Sequence, residues 1–342
     1  MSWKLKNLND QVMVITGASS GIGLVTARMA VERGAKVVLV ARNEKALQRL
    51  VQELNEAAPN QVIYVVGDIG DEKTADAIVQ SAVQRFGRID TWVNNAGVGL
   101  YGELLATPSA DSRKVFDTNF WGVVYGSLAA ARQMRSQEDG HGGAIINIGS
   151  EVSDRAVILI GMYSASKHAV KGFTDALRME LEADSAPLSV TLVKPSATDT
   201  PFPNHAQNLL DEEPTLPDPV YDPVLVAEAI LYAAQTPVRD IYPTAAGIKT
   251  AIQGVLMPRL TDWYMERNFI DQQQSGNPPV RQDDALYQPT TGLQERGHPR
   301  RRVRHFSAYG LARRHPYLSS ALALGVTLAA AQLVNGGINK SA

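Results

Sequence analysis

Cysteine is absent from the 342 residues. That one absence removes disulfides, thiolate nucleophiles and thiolate metal sites, and it is compatible with a reducing compartment. No metal site is expected. A secretory signal is missing too: before the first apolar run, residues 1–11 are too few and too polar to serve as one, so the body is expected to stay cytoplasmic. The chain has no internal repeat, and its main part lacks a basic character. From Arg296 onward there are seven arginines and Lys340 but no Asp or Glu; taking those eight positive charges from the net −2 of the whole chain leaves −10 on residues 1–295. An acidic body argues against nucleic-acid binding, because phosphate contacts need a positive face.

What is present is a rhythm. Short apolar runs at 12–15, 36–40, 61–66, 90–94, 144–148 and 189–193 alternate with helical stretches at 22–33, 72–86, 112–134 and 161–183. Strand, glycine turn, helix and strand at the N-terminus form the first right-handed crossover of a parallel sheet. The expected fold is α/β, a doubly wound parallel sheet of Rossmann type with helices on both faces. At this length one large core leaves roughly 90 residues over, so the chain divides into a catalytic domain at 1–246, an extension at 247–312 and an apolar tail at 313–342. Residues 199–224 hold six prolines without periodicity, as expected of a mobile loop over a site. A further helix is expected at 224–234 and a short last strand at 240–242, whereas 247–297 has no readable pattern.

The chemistry lies in a few side chains. Tyr163 and Lys167 are four apart, hence on one helix face, where a cationic lysine would favour the phenolate of a tyrosine whose ordinary pKa is about 10. Ser150 stands thirteen residues upstream of that tyrosine. Gly17, Gly21 and Gly23 follow a strand and open a helix, where bare backbone and a helix N-terminus suit a pyrophosphate. The second strand ends at Arg42 rather than at an acid, which favours a ribose 2′-phosphate and so NADP(H), although Arg42 could be a solvated strand end with Glu44 nearby. His168 is read as a structural residue because it points away from the Lys167 face.

These motifs, in this order and spacing, resemble the short-chain dehydrogenase/reductase family over roughly residues 10–245. The resemblance implies that Asn119, Ser150, Tyr163 and Lys167 form the catalytic tetrad: Tyr163 as general acid and base, Ser150 as hydrogen-bond partner of the substrate oxygen, Lys167 on the nicotinamide ribose, and Asn119 holding a water that links the lysine to solvent. It also implies cofactor contacts from Thr16, Gly17, Ser19, Ser20, Gly21, Ile22 and Gly23 in the turn. Further contacts are Asp68 and Ile69 after the third strand, Asn95, Ala96 and Gly97 after the fourth, Pro195 and Thr200 after the sixth, and Tyr163 and Lys167 themselves. The family's Pro-Gly after the sixth strand is Pro195-Ser196 here, which points to a different turn path. Ser153 competes with Ser150 for the serine role, with Ser150 favoured by spacing.

The expected function is NADP(H)-dependent interconversion of a carbonyl and an alcohol on a small, lipophilic molecule, by a homo-oligomer. A nucleotide-binding regulatory protein without turnover is the alternative, with a dehydratase or epimerase on the same fold behind it. The run at 317–334 is largely Leu, Ala and Val and is preceded by Arg300, Arg301, Arg302, Arg304, Arg313 and Arg314. It is close to the roughly 20 residues that cross a bilayer, with the body on the cytoplasmic side. A helix docked on the body or on a partner subunit is the other reading.

Overall fold

The computed structural model describes residues 3–137, 141–279, 284–297 and 302–314. Seven strands form one sheet: β1 (Val12–Thr16), β2 (Lys36–Ala41), β3 (Val62–Val66), β4 (Thr91–Asn94), β5 (Gly143–Ile148), β6 (Leu188–Val193) and β7 (Asp240–Ile241). Their order in space is β3-β2-β1-β4-β5-β6-β7, with every neighbouring pair parallel. Because helices cover both faces, a central strand must be apolar on both sides, and all five residues of β1 are buried.

On one face α1 (Gly21–Glu32), α2 (Glu44–Ala57) and α8 (Pro223–Ala233) contribute Leu24, Leu47, Leu50 and Ile230 to a cluster with Met13, Ile15 and Leu39. On the other, α3 (Glu72–Phe86), α5 (Gly122–Arg135) and α6 (Gly161–Ala183) bring Ile78, Met134 and Leu177 against Val14, Val38 and Ile145. The strand order reverses between β1 and β4. In open sheets the crevice beyond the carboxyl ends of the strands at such a point is where ligands bind.

The helix expected at 112–134 is divided. It runs as α4 (Ser109–Phe116), one π-helical turn (Asp117–Trp121) and α5. Such a turn inserts a residue into the helical ladder and is frequent at functional sites; here it carries Asn119. Residues 199–224 contain the short α7 (Phe202–His205) and two-residue strands, Gln207–Asn208 beside Leu100–Tyr101 and Val220–Tyr221 beside Val303–Arg304.

The extension forms α9 (Ala245–Leu256) and α10 (Pro258–Gln273), followed by an irregular stretch at 284–297 and by α11 (Ala308–Arg314) on α8. Its residues join the body's cores: Leu286 is fully buried with Val98, Leu100 and Val115, and Met265 packs with Val152 and Val157. The apolar run at 317–334 lies outside the described residues, as do Arg300 and Arg301. Among the described residues no helix is long and apolar enough to cross a membrane.

Candidate active site

The turn after β1 is tight because three of its residues lack side chains. Gly17 and Gly21 have φ of +66° and +53°, and a Cβ on Gly23 would lie 2.2 Å from the Gly17 carbonyl oxygen. Thr16 and Asn95 tie this turn to the one after β4. The Thr16 hydroxyl accepts from the Asn95 and Ala96 amides at 3.0 Å each, and Asn95 Nδ2 donates to the Thr16 carbonyl at 2.9 Å. Thr16 and Gly23 therefore shape the turn from behind, while Gly17, Ser19, Ser20, Gly21 and Ile22 face an open groove. Arg42, Asp68, Ile69, Asn95, Ala96, Gly97 and Thr200 line the same groove, so most of the expected cofactor residues come together along it. The close approach of bare backbone suits the pyrophosphate of a dinucleotide.

Arg42 is engaged within the protein: its guanidinium donates to the Ala285 and Gln288 carbonyls, the latter at 3.1 Å. Asp68 accepts from the Gly70 amide at 3.0 Å and from Lys114 at 3.2 Å. Burial would raise the Asp68 pKa, but these two partners outweigh it and hold the carboxyl below its ordinary value.

A second cavity adjoins the groove and shares Ile22, Asn95, Gly97, Thr200 and Phe202 with it. Ser150, Tyr163, Lys167 and Pro195 line it, among apolar side chains such as Val157, Ile160, Leu216 and Phe269. Ser150 stands two residues past β5 and caps a short turn, its hydroxyl accepting from the Val152 amide at 3.3 Å. Ser153 is buried, its hydroxyl accepts from the Ser150 amide at 3.1 Å, and it does not line the cavity. That separates the two candidate serines.

Burial pushes the Tyr163 phenol up to about 12, against a lowering hydrogen bond from Ser150, with a further raising contribution from Glu151. Lys167 is buried, donates to the Ile148 carbonyl at 2.8 Å and sits 5.7 Å from the centre of the Tyr163 ring. Desolvation lowers its pKa to about 8. The direction differs from the expected lysine-driven phenolate, because desolvation disfavours both the phenolate and the ammonium.

Asn119 is wholly buried in the π turn. Its Oδ1 accepts from the Val98 amide at 2.8 Å, and its Nδ2 donates to the Val98 carbonyl at 2.9 Å and to the Ser166 hydroxyl at 3.1 Å. It thereby fixes the loop after β4 that forms the floor between the two cavities. His168 is exposed, with Nδ1 2.9 Å from the Ser164 carbonyl.

Sequence reasoning passed over Glu151. Its amide donates to the Pro195 carbonyl at 2.8 Å, and its carboxylate takes hydrogen bonds from Ser196, Thr250 and the Ala197 amide. Burial nonetheless pushes it up to about 7. The Ser196 hydroxyl also lies 3.1 Å from that of Thr244, and Ser196 is not in the left-handed region. The Pro-Ser turn is thus held by side-chain bonds in place of glycine's freedom. The position of Glu151, one residue after the candidate serine, was the available signal.

The model of the short chain dehydrogenase family matches residues 11–209. An uncharacterized oxidoreductase of Bacillus subtilis, YxnA, is 45% identical over 330 residues, 96% of this chain and 92% of its own. The 11-beta-hydroxysteroid dehydrogenase A of Sesamum indicum is 33% identical over 214 residues, 61% of this chain and 60% of its own. Among solved structures, a short chain dehydrogenase/reductase from Burkholderia phymatum in complex with NAD superimposes with a TM-score of 0.66 at 27% identity, covering 78% of this chain and 98% of its own. The chain belongs to the short chain dehydrogenase family and is an oxidoreductase of that family.

Proposed function

We propose that this short chain dehydrogenase interconverts a carbonyl and an alcohol on a lipophilic small molecule, using NADP(H). The observation that carries the reading is Ser150, Tyr163 and the buried Lys167 lining one apolar cavity where it adjoins the groove of the glycine turn. A nicotinamide dinucleotide, bound along Gly17–Ile22–Gly97, supplies the hydride. The protein's own work is proton handling and positioning: Ser150 donates a hydrogen bond to the substrate oxygen, and Tyr163 delivers or accepts the proton at that same atom. The Lys167 ammonium stabilises negative charge as it develops on the phenol oxygen, an effect strengthened by the dry walls.

Arg42 at the end of β2, where no carboxylate stands, supports NADP(H). The apolar cavity walls support a lipophilic substrate, as does similarity to a protein named for a hydroxysteroid. We place the tail at 317–334 against the cytoplasmic face of a membrane, a position tested by whether high-salt washing leaves the full chain in the pellet.

The test of function is NADPH consumption with a panel of ketones and aldehydes, for the natural protein and for Tyr163→Phe. Turnover should fall by about 10²–10⁴ in the variant with NADPH affinity nearly unchanged. Binding without consumption by the natural protein, or a variant at the natural rate, would refute the reading.

A further inference from the structure

The stretch at 284–297 crosses the dinucleotide groove and is fastened on both sides. On the side of the glycine turn, the Gly21 amide donates to the Gln294 carbonyl at 2.8 Å, the Leu293 amide donates to the Ser19 carbonyl at 2.5 Å, and Arg28 pairs with Glu295 at 2.6 Å. Beside them Asn43 Nδ2 donates to the Thr290 carbonyl at 2.5 Å, and Arg42 holds the Ala285 and Gln288 carbonyls. On the opposite side the Ala285 amide donates to the His205 carbonyl at 2.7 Å, and the Tyr287 hydroxyl donates to Asp111 at 2.5 Å. Ala285, Pro289 and Thr290 form part of the groove wall.

The fastening is mostly polar. Leu286 is the one side chain of this stretch that is completely buried, and Gly292 and Leu293 stand side by side in the left-handed region, with φ of +73° and +61°. For leucine that conformation is uncommon and persists only where surrounding contacts impose it. A segment held chiefly by hydrogen bonds along its length, with Leu286 as its one completely buried side chain and with a strained bend, belongs to the low-energy end of local opening.

We propose that residues 284–297 are a strap that gates the dinucleotide groove: it must undock for the dinucleotide to enter or leave, and when docked it retains the dinucleotide against the glycine turn. This rests on the proposed dinucleotide site but not on turnover. Arg42 then has two tasks, since the guanidinium that faces the groove is also a strap anchor. A gate differs from a plain wall in its kinetics, because weakening a gate speeds both entry and exit, whereas removing a wall contact speeds exit alone.

The experiment is stopped-flow binding of NADPH, and separately of NADH, to the natural protein and to Tyr287→Phe/Glu295→Gln, which removes the hydrogen bond to Asp111 and the Glu295 charge that pairs with Arg28 and Arg296. Association and dissociation rate constants should both rise, by about tenfold for two such contacts, with Kd changing less than about threefold. Leu286→Ala, checked for folding by its melting temperature, should act in the same direction. On the natural protein, hydrogen exchange at the Ala285 and Leu293 amides should slow when NADPH is added, a result that needs no variant. Unchanged rate constants in both variants, or faster dissociation with unchanged association, would overturn the gate. A natural protein that binds NADPH without reducing any carbonyl would refute the proposed function and leave the gate standing; one that binds neither dinucleotide refutes both.

Discussion

Replacing Glu151 with glutamine should change how stability depends on pH. The carboxyl has an ordinary value of 4.5 and is raised to about 7 by burial, so its charged form is penalised by folding. At 1.36 kcal/mol per pKa unit the difference is about 3 kcal/mol, an upper bound because Glu151 keeps some solvent exposure. The sign follows from proton counting. Between pH 4.5 and about 7 the folded state holds a proton that the unfolded state has lost, so stability falls as pH rises through this window. Below it the penalty is absent; above it the penalty is complete. Glutamine is nearly isosteric and cannot ionise.

The assay is guanidinium unfolding of both proteins at pH 5, 6, 7 and 8. Other titrating groups, such as His205, are common to both and cancel in the difference. Relative to the natural protein, Glu151→Gln should gain up to about 3 kcal/mol between pH 5 and pH 8, whatever fixed cost the amide brings through its lost acceptor. Stability curves that stay parallel over that range would refute the reasoning, because a carboxyl that ionises near its ordinary value cannot produce a slope above pH 5.

Arg42→Ala should weaken NADPH by about 1.5–3 kcal/mol and leave NADH nearly untouched, measured by fluorescence titration; equal losses for both would mean that Arg42 acts only through the strap carbonyls. Gly23→Ala puts a Cβ 2.2 Å from the Gly17 carbonyl oxygen and 2.5 Å from Asn95 Nδ2, so urea unfolding should show a loss of about 1–3 kcal/mol, and dinucleotide affinity should fall with it. Asn119→Ala strands the buried amide and carbonyl of Val98 at about 1–3 kcal/mol each and should lower the melting temperature by several degrees; an unchanged melt would show that the π turn does not depend on them.

The sheet was legible because its signal is local and strong: central strands buried on both sides must be continuous apolar runs, and Val12 to Ile15 or Val37 to Val40 can hardly be read otherwise. Ser150, Tyr163 and Lys167 were legible for a related reason, since a strand end and a helical spacing of four place them without long-range information. The π turn was not, because Asn119 earns its place through bonds to Val98, twenty-one residues earlier, and leaves no mark on the periodicity around it. Glu151 resembled an ordinary polar loop residue until Thr250, from α9, was seen to close over it. Residues 284–297 carried no pattern at all. Most of what holds them is their own backbone carbonyls and amides, and every residue type supplies those.

That stretch has a bearing on the order in which the molecule is built. Arg28 and Glu295 are 267 positions apart, and Arg42 and Ala285 are 243 apart. Contacts of such separation bear the largest loop-closure entropy and come late in folding. During synthesis the glycine turn and the first strands leave the ribosome well before the residues that roof them. A nascent chain halted before residue 284 would hold the entire Ser150, Tyr163 and Lys167 cluster and a bare, open groove, so the end of the chain decides when the dinucleotide site at its beginning is finished.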